Sequence, residues 1–264
     1  MPPFPIRTVQ AERYVTPLRQ GGSLPAIIEA DDGQQYVMKF AGAGQGRKAL
    51  IAELLSGEIG RFLGLTVPEI VLIRMDEHLG RSEPDPEIQD LLRGSVGLNL
   101  GLAYLPSAVE YSPMLKFPLA REDAARIVWF DALVTNVDRT ARNVNMLIWQ
   151  EQLWLIDHGA SLYFHHSWPG YAERAASAFP MSRQHVLLAR AGNLAAADAQ
   201  AKAMLAGMDW AGLVATIPDE WLGGEEIFAD VAAQRQGYVD YLSARLAASS
   251  AFVQEAEKGR TGNG

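Results

Sequence analysis

Apolar positions recur along this chain with two different periods, and the change from one to the other divides it. At the start the alternation is that of strands, over residues 13–18, 26–30 and 35–40, and Asp31-Asp32-Gly33 between the last two is a hairpin-turn signal. Residues 42–46 are glycine-rich and predict a flexible loop. Ile51, Leu54, Leu55, Ile59 and Phe62 then recur at helical spacing, predicting an amphipathic helix over 47–63 with Gly64 just past its end and Pro68 beyond. Residues 70–74 predict a further strand. The charged stretch 77–90 contains Pro84 and Pro86 and predicts an exposed loop or insertion. Residues 97–105 predict an extended crossing between halves. From Arg121 onward helix takes over: first 122–134, then several Ala-rich segments after Met181. Two short apolar runs, 146–149 and 153–156, with a polar turn between them, predict a hairpin in this helical half. The end from Gln254 is polar, closes Gly-Arg-Thr-Gly-Asn-Gly and predicts a disordered tail over 254–264.

Strands first and helices later predict an α+β protein of two unequal parts. Residues 1–100 would form a small antiparallel sheet with one helix, and 101–253 a larger, mainly helical unit. A chain of 264 residues is long enough for one large domain or two lobes around a cleft. Charge changes the picture by exclusion: 23 basic against 31 acidic residues leave a net −8, so direct attraction to nucleic acid or anionic lipid is not expected. The absence of cysteine rules out disulfides, thiolate catalysis and cysteine-based zinc sites. No apolar stretch is long enough to span a bilayer and residues 1–10 have no signal-peptide core, so a cytoplasmic location without membrane contact is expected.

The candidate chemistry lies around the predicted hairpin. Asp138 and Asn143 stand five positions apart in Asp-Arg-Thr-Ala-Arg-Asn, and Asp157 follows ahead of His158-Gly159. Phosphoryl transfer from ATP needs one carboxylate to orient the attacking hydroxyl and an amide plus a second carboxylate to hold magnesium against the phosphates. A loop and a hairpin would supply all three, with Gly159 allowing a sharp turn that aims Asp157 inward. Taken singly, each residue has a plainer role as a helix cap or Asx turn. Arg139 and Arg142 would either meet phosphate or pair with carboxylates, and Asp131, on the helix before the loop, would brace it. His158, His165 and His166 lack zinc-site spacing and are expected in the pocket or loops.

Upstream, Lys39 ends a strand in Tyr-Val-Met-Lys-Phe, where an ammonium would reach phosphates if a helix carboxylate kept it placed. Glu53 and Glu58 both sit on the 47–63 helix. A helical wheel puts Glu58 in the apolar stripe and Glu53 nearly opposite, so periodicity favours Glu58. Gly21, Gly22 and Ser23 separate two strands, and their backbone N–H groups would approach phosphate oxygens closely, although paired glycines also make ordinary turns. No G-x-x-x-x-G-K-[ST] sequence occurs, which disfavours a P-loop enzyme.

Together, Tyr-Val-Met-Lys-Phe, "ELLSGEIGRFLGLTVP", "FDALVTNVDRTARNVNML" and "LWLIDHGASLYF" resemble the HipA-like kinases, most closely the short stand-alone bacterial members. The resemblance runs from Arg13 to about Phe164. It implies a protein-kinase-like, two-lobed fold and an ATP- and magnesium-dependent Ser/Thr kinase. It also implies that Lys39 holds the α and β phosphates, that Asp138 is the catalytic base, and that Asn143 and Asp157 bind the metal. By position before Pro68, it implies Glu53 rather than Glu58 as the partner of Lys39. The crossing at 100–104, with Ala103 and Tyr104, would be the hinge whose backbone meets adenine. The tripeptide His-Arg-Asp is absent, since Asn136-Val137 precede Asp138, and Thr140 stands where protein kinases keep lysine; γ-phosphate contacts would then come from Arg139 or Arg142. The phosphoacceptor, protein or small molecule, is not written in these motifs. An aminoglycoside- or choline-kinase-like phosphotransferase and a nucleotide-binding pseudokinase are the rival readings.

Overall fold

The computed structural model describes residues 5–18, 24–79 and 84–261. In chain order its strands and helices are β1 (Arg7–Pro17), β2 (Ala26–Ala30), β3 (Gln35–Lys39), α1 (Gly46–Phe62), β4 (Ile70–Met75), α2 (Pro86–Arg93), β5 (Gly97–Ala103) and β6 (Val109–Glu110), followed by α3 (Arg121–Leu133), β7 (Met146–Trp149) and β8 (Gln152–Leu155). The remainder is helical: α4 (Tyr171–Ala175), α5 (Leu194–Leu205), α6 (Trp210–Val214), α7 (Val231–Ala247) and α8 (Ser249–Thr261), with short 3₁₀ turns between.

The α+β class expected from the pattern is present, but the first sheet differs from expectation. Its strands run in the order β1-β2-β3-β5-β4 and close into a barrel, because β1 pairs in parallel with β4 (Val9 opposite Ile73) while the other pairings are antiparallel. Closure removes the free edges that an open sheet would expose. The supposed crossing at 97–105 is the middle of this barrel: β5 pairs with β3 (Lys39 opposite Leu100) and with β4 (Ile73 opposite Asn99). The expected boundary between residues 100 and 101 falls inside that strand.

Among the described residues two helices, not one, precede residue 100. The charged stretch contains α2, because Asp85 caps it by accepting from the Glu87 N–H and Pro86 fits a first helical position. Ile88 and Leu92 of α2 join Val9, Ile28, Met38 and Ile73 in the barrel core. The larger core runs from Leu54, Leu55 and Ile59 of α1 through Val128 and Phe130 of α3 to Met146 and Leu155 of the hairpin and Leu242 of α7. The expectation that α1 is amphipathic is corrected: every residue from Leu50 to Gly60 is buried. Ala52, Gly57 and Gly60 make its second face small enough to be covered, and a Cβ on Gly57 would run into the Ile70 side chain. Gly64 ends the helix as expected, with φ +71° and the Leu65 N–H reaching the Gly60 carbonyl at 2.9 Å.

The disordered tail is also corrected over residues 254–261; residues 262–264 lie outside the described residues. From residue 254 the chain continues α8 through Thr261, with Phe252, Glu255 and Ala256 buried and Glu255 paired to Arg183 at 2.5 Å. Its polar composition hid a face used for packing.

Candidate active site

Lys39 ends β3 beside α1, and α1 turns Glu53 toward it. The Lys39 ammonium lies 2.5 Å from Glu53 Oε2 and 2.6 Å from Asp157 Oδ1, across 118 residues of chain in the second case. Glu53 is fully buried. Its other oxygen faces His158 Nδ1 at 3.4 Å, and the His158 ring packs edge-on against Phe130. Burial by itself would raise the Glu53 carboxyl, but Lys39 and His158 outweigh it and hold the group well below the usual carboxylate range. Burial would likewise lower the Lys39 ammonium, and the two carboxylates instead hold it above the ordinary lysine range. Glu58, the choice favoured by periodicity, pairs with Arg61 at 3.2 Å, away from this cluster.

Asp157 arrives from β8 in the left-handed conformation, φ +56°. Aspartate tolerates that region better than most residues. The sharp turn is therefore made by Asp157 itself. Gly159 was expected to make it, but its φ is not positive, and a Cβ there would meet the Ala49 carbonyl only at an ordinary 3.6 Å.

Asp138 sits on the loop after α3. Its Oδ2 accepts from Asn143 Nδ2 at 2.6 Å and from Asn145 Nδ2 at 3.3 Å. Its backbone N–H donates to Asn136 Oδ1 at 3.0 Å, which fixes the start of the loop. Burial, joined by the charge of Asp157, raises the Asp138 carboxyl above its ordinary value against the pull of the two amides. Two carboxylates thus share one small space, and the loop amides hold one of them in a single orientation.

The loop itself hangs on Asp131. Arg139 Nε donates to Asp131 Oδ2 at 2.6 Å, and both side chains are buried. Asn136 Nδ2 reaches Asp131 Oδ1 at 2.9 Å, and His185 Nε2 lies 2.8 Å from Asp131 Oδ2. Because His185 Nδ1 accepts from the Leu187 N–H at 3.0 Å, the ring proton belongs on Nε2 and donates to Asp131. Burial alone would raise Asp131; Arg139 and His185 hold it well below the usual range. Arg139 also donates to the carbonyl of Asn145 and, at 3.4 Å, to that of Ile156, tying both ends of the hairpin to the loop. Of the two suggested roles, Arg139 has the bracing one; Arg142 is exposed beside the loop.

Several expected contributors stand differently. Gly21, Gly22 and Ser23 lie outside the described residues. Ala103 and Tyr104 leave the barrel on the same strand, but their N–H groups donate to the carbonyls of Glu69 and Gln35, at 2.8 and 3.0 Å. Neither amide is free to meet a base. Asn145 carries a role here that its motif did not signal, His158 is a pocket residue, and His185 was not expected, because its 54-residue separation from Asp131 leaves no local signal. Among the described residues no group of three or more His, Cys, Asp or Glu is placed to hold a metal ion, and no helix is long and apolar enough to cross a membrane.

The fold is shared with a solved kinase. The Helicobacter pylori proinflammatory kinase CtkA superposes with a TM-score of 0.55 at 11% sequence identity, covering 98% of this chain and 100% of that chain. A Golgi casein kinase structure with Mn/ADP bound gives 0.49 at 12% identity, over 98% of this chain and 75% of that one. No curated protein matches the sequence. The molecule is a protein-kinase-like phosphotransferase. The chain belongs to the HipA-like kinase family, which matches it over residues 12–249.

Proposed function

We propose that this kinase transfers the γ-phosphate of ATP, with magnesium, to a serine or threonine hydroxyl of a protein. The observation that carries the reading is the juxtaposition of the Lys39–Glu53 pair, its carboxylate buried, with Asp157, beside an Asp138 held by two loop amides. A lysine fixed between carboxylates is a cation placed for phosphate oxygens, and it costs no reorganisation when they arrive. The oxygen-only set of Asp157 and Asn143 suits a hard cation such as magnesium, which would neutralise phosphate charge there. With its amide nitrogen donating to Asp138, Asn143 keeps Oδ1 as an acceptor toward such an ion.

Asp138 would accept the hydrogen of the acceptor hydroxyl as that oxygen bonds to the γ-phosphorus and the bond to the β-phosphate oxygen breaks. Asn143 and Asn145 orient its carboxylate, and a carboxyl raised by burial and by Asp157 is a better base than an exposed one. Lys39 would draw the departing diphosphate charge. Adenine would be met by groups along the chain at 103–105 other than the amides of Ala103 and Tyr104.

Transfer of labelled γ-phosphate, by wild type and Asp138→Asn, with and without a bacterial lysate, tests this. Label on the protein itself or on a lysate protein, lowered about 10²–10⁴-fold in the variant, is expected. Nucleotide binding with no transfer to protein would overturn the reading and leave a small-molecule acceptor or a pseudokinase.

A further inference from the structure

The N-terminal turn of α1 is poorly secured by its own sequence. Gln45 precedes it without a side-chain cap, and its first turn holds no acidic residue. An uncapped start with Lys48 nearby opposes the helix dipole. Yet this helix carries Glu53, and a helix buried on all sides from Leu50 to Gly60 moves as a rod, so displacement at its start displaces Glu53. The fastening comes from far along the chain. Glu225 Oε1 lies 2.6 Å from the Lys48 ammonium, supplying an acid that the first turn lacks.

The segment that brings Glu225 also grips the barrel. The indole N–H of Trp221, itself buried, donates to the Leu98 carbonyl of β5 at 3.0 Å, and the Leu98 N–H reaches Glu220 Oε2 at 3.4 Å. On its other side the segment is tied to α7: the Gly223 N–H donates to buried Gln234 at 2.7 Å, and Arg235 pairs with Asp219 at 2.8 Å. Gly223 and Gly224 have φ of +100° and +76°, a double turn that side-chain-bearing residues would resist.

We propose that residues 219–225 are a positioning strap that holds α1 and β5 against the helical half, so that the Lys39–Glu53 pair is assembled before nucleotide binds. Trp221 and the Lys48–Glu225 ion pair are its two fastenings. None of the three touches Lys39 or Glu53 in the hydrogen bonds and ion pairs described above, so they are positioning residues. The consequence for catalysis rests on the ATP-kinase reading above; the consequence for Lys39 does not.

The strap shifts a population, and that gives it a signature. If loosening it lets α1 spend time displaced, apparent nucleotide affinity falls by the fraction assembled, while saturating ATP recovers the assembled state. Glu225→Gln, Lys48→Met and Trp221→Phe are therefore expected to raise KM for ATP about fivefold with kcat retained. The double variant Lys48→Glu with Glu225→Lys, which restores an opposite pair, is expected to recover the wild-type KM. Acylation of Lys39 by an amine reagent without nucleotide, read by mass spectrometry, should be faster in the three single variants and normal in the double one. Unchanged KM together with unchanged Lys39 acylation would overturn the strap. So would a lower kcat at constant KM, which is the mark of a smaller folded fraction. Should wild type transfer no phosphate, the kinase reading fails alone, and Lys39 acylation still decides the strap.

Discussion

Glu53 is a carboxylate with no access to water, a state that costs several kcal/mol unless it is paired, and Lys39 and His158 are what pair it. Glu53→Ala should therefore destabilise the fold by about 3–5 kcal/mol in chemical denaturation, because it leaves Lys39 underpaired in a nearly closed site. The pair also sets a pH window. Glu53 is lowered from its ordinary 4.5, so its contribution is present above that pH and fades as pH falls toward its folded value. Lys39 is raised from its ordinary 10.5, so its contribution is present below that pH and fades as pH rises toward its folded value. Thermal melts should show the difference between wild type and Glu53→Gln at its largest between those limits and shrinking outside them. For Asp138 the direction is opposite to that of Glu53, since it is raised above 3.8. The acid limb of kcat/KM should lie above that value, and a limb at or below it would show that the loop amides outweigh burial. Arg139→Ala should cost about 3–5 kcal/mol by the same logic as Glu53, since it leaves buried Asp131 without its arginine, held only by Asn136 and His185. The sequence made Asp138, Asn143 and Asp157 visible because all three fall within twenty residues of one another. Periodicity favoured Glu58 and the resemblance implied Glu53, because both side chains lie on one helix and the contact that separates them is with a strand.

For the elements, α1 carries the clearest test. Gly57 lies where α1 meets β4, and a methyl group there would overlap the Ile70 side chain. Alanine is the better helix former by about 1 kcal/mol, whereas overpacking a filled core costs about 1–3 kcal/mol. Gly57→Ala should come out net destabilising and should lower activity more than stability, because the helix yields by moving Glu53. Equal or greater stability would show that β4 gives way instead. The wheel for α1 misled for a reason visible in Ala52, Gly57 and Gly60. Apolar periodicity reports the face with large side chains, but small residues let the other face be buried too. For α2, the prolines that suggested a loop include one at the first turn of a helix, where proline is at home.

Across the whole molecule, the C-terminal helix is a structural member. Phe252 packs edge-on against Trp129 of α3 and lies under the Arg245 guanidinium at 4.8 Å from its ring centre. Ending the chain after Ala248 should lower the melting temperature sharply or yield insoluble protein, because the loss of one such buried aromatic alone costs about 3–5 kcal/mol. A truncation that melts like wild type would restore the picture of a dispensable tail.

By itself, the sequence determined the local matters: the first strands and the helix after them, the turn at Gly33, the stop at Gly64, and the spacing of Asp138, Asn143 and Asp157. Those depend on dihedral preference and period, which act over a few residues. Tertiary structure alone decided that the sheet closes through a parallel β1–β4 pairing, that His185 joins Asp131, and that Trp221 and Glu225 reach back to β5 and α1. Each of these joins groups more than fifty residues apart, from the β1–β4 pairing to Glu225 on Lys48. Their partners are chosen by burial, where an unpaired charge is too costly to keep, and burial is a property of the whole packed chain.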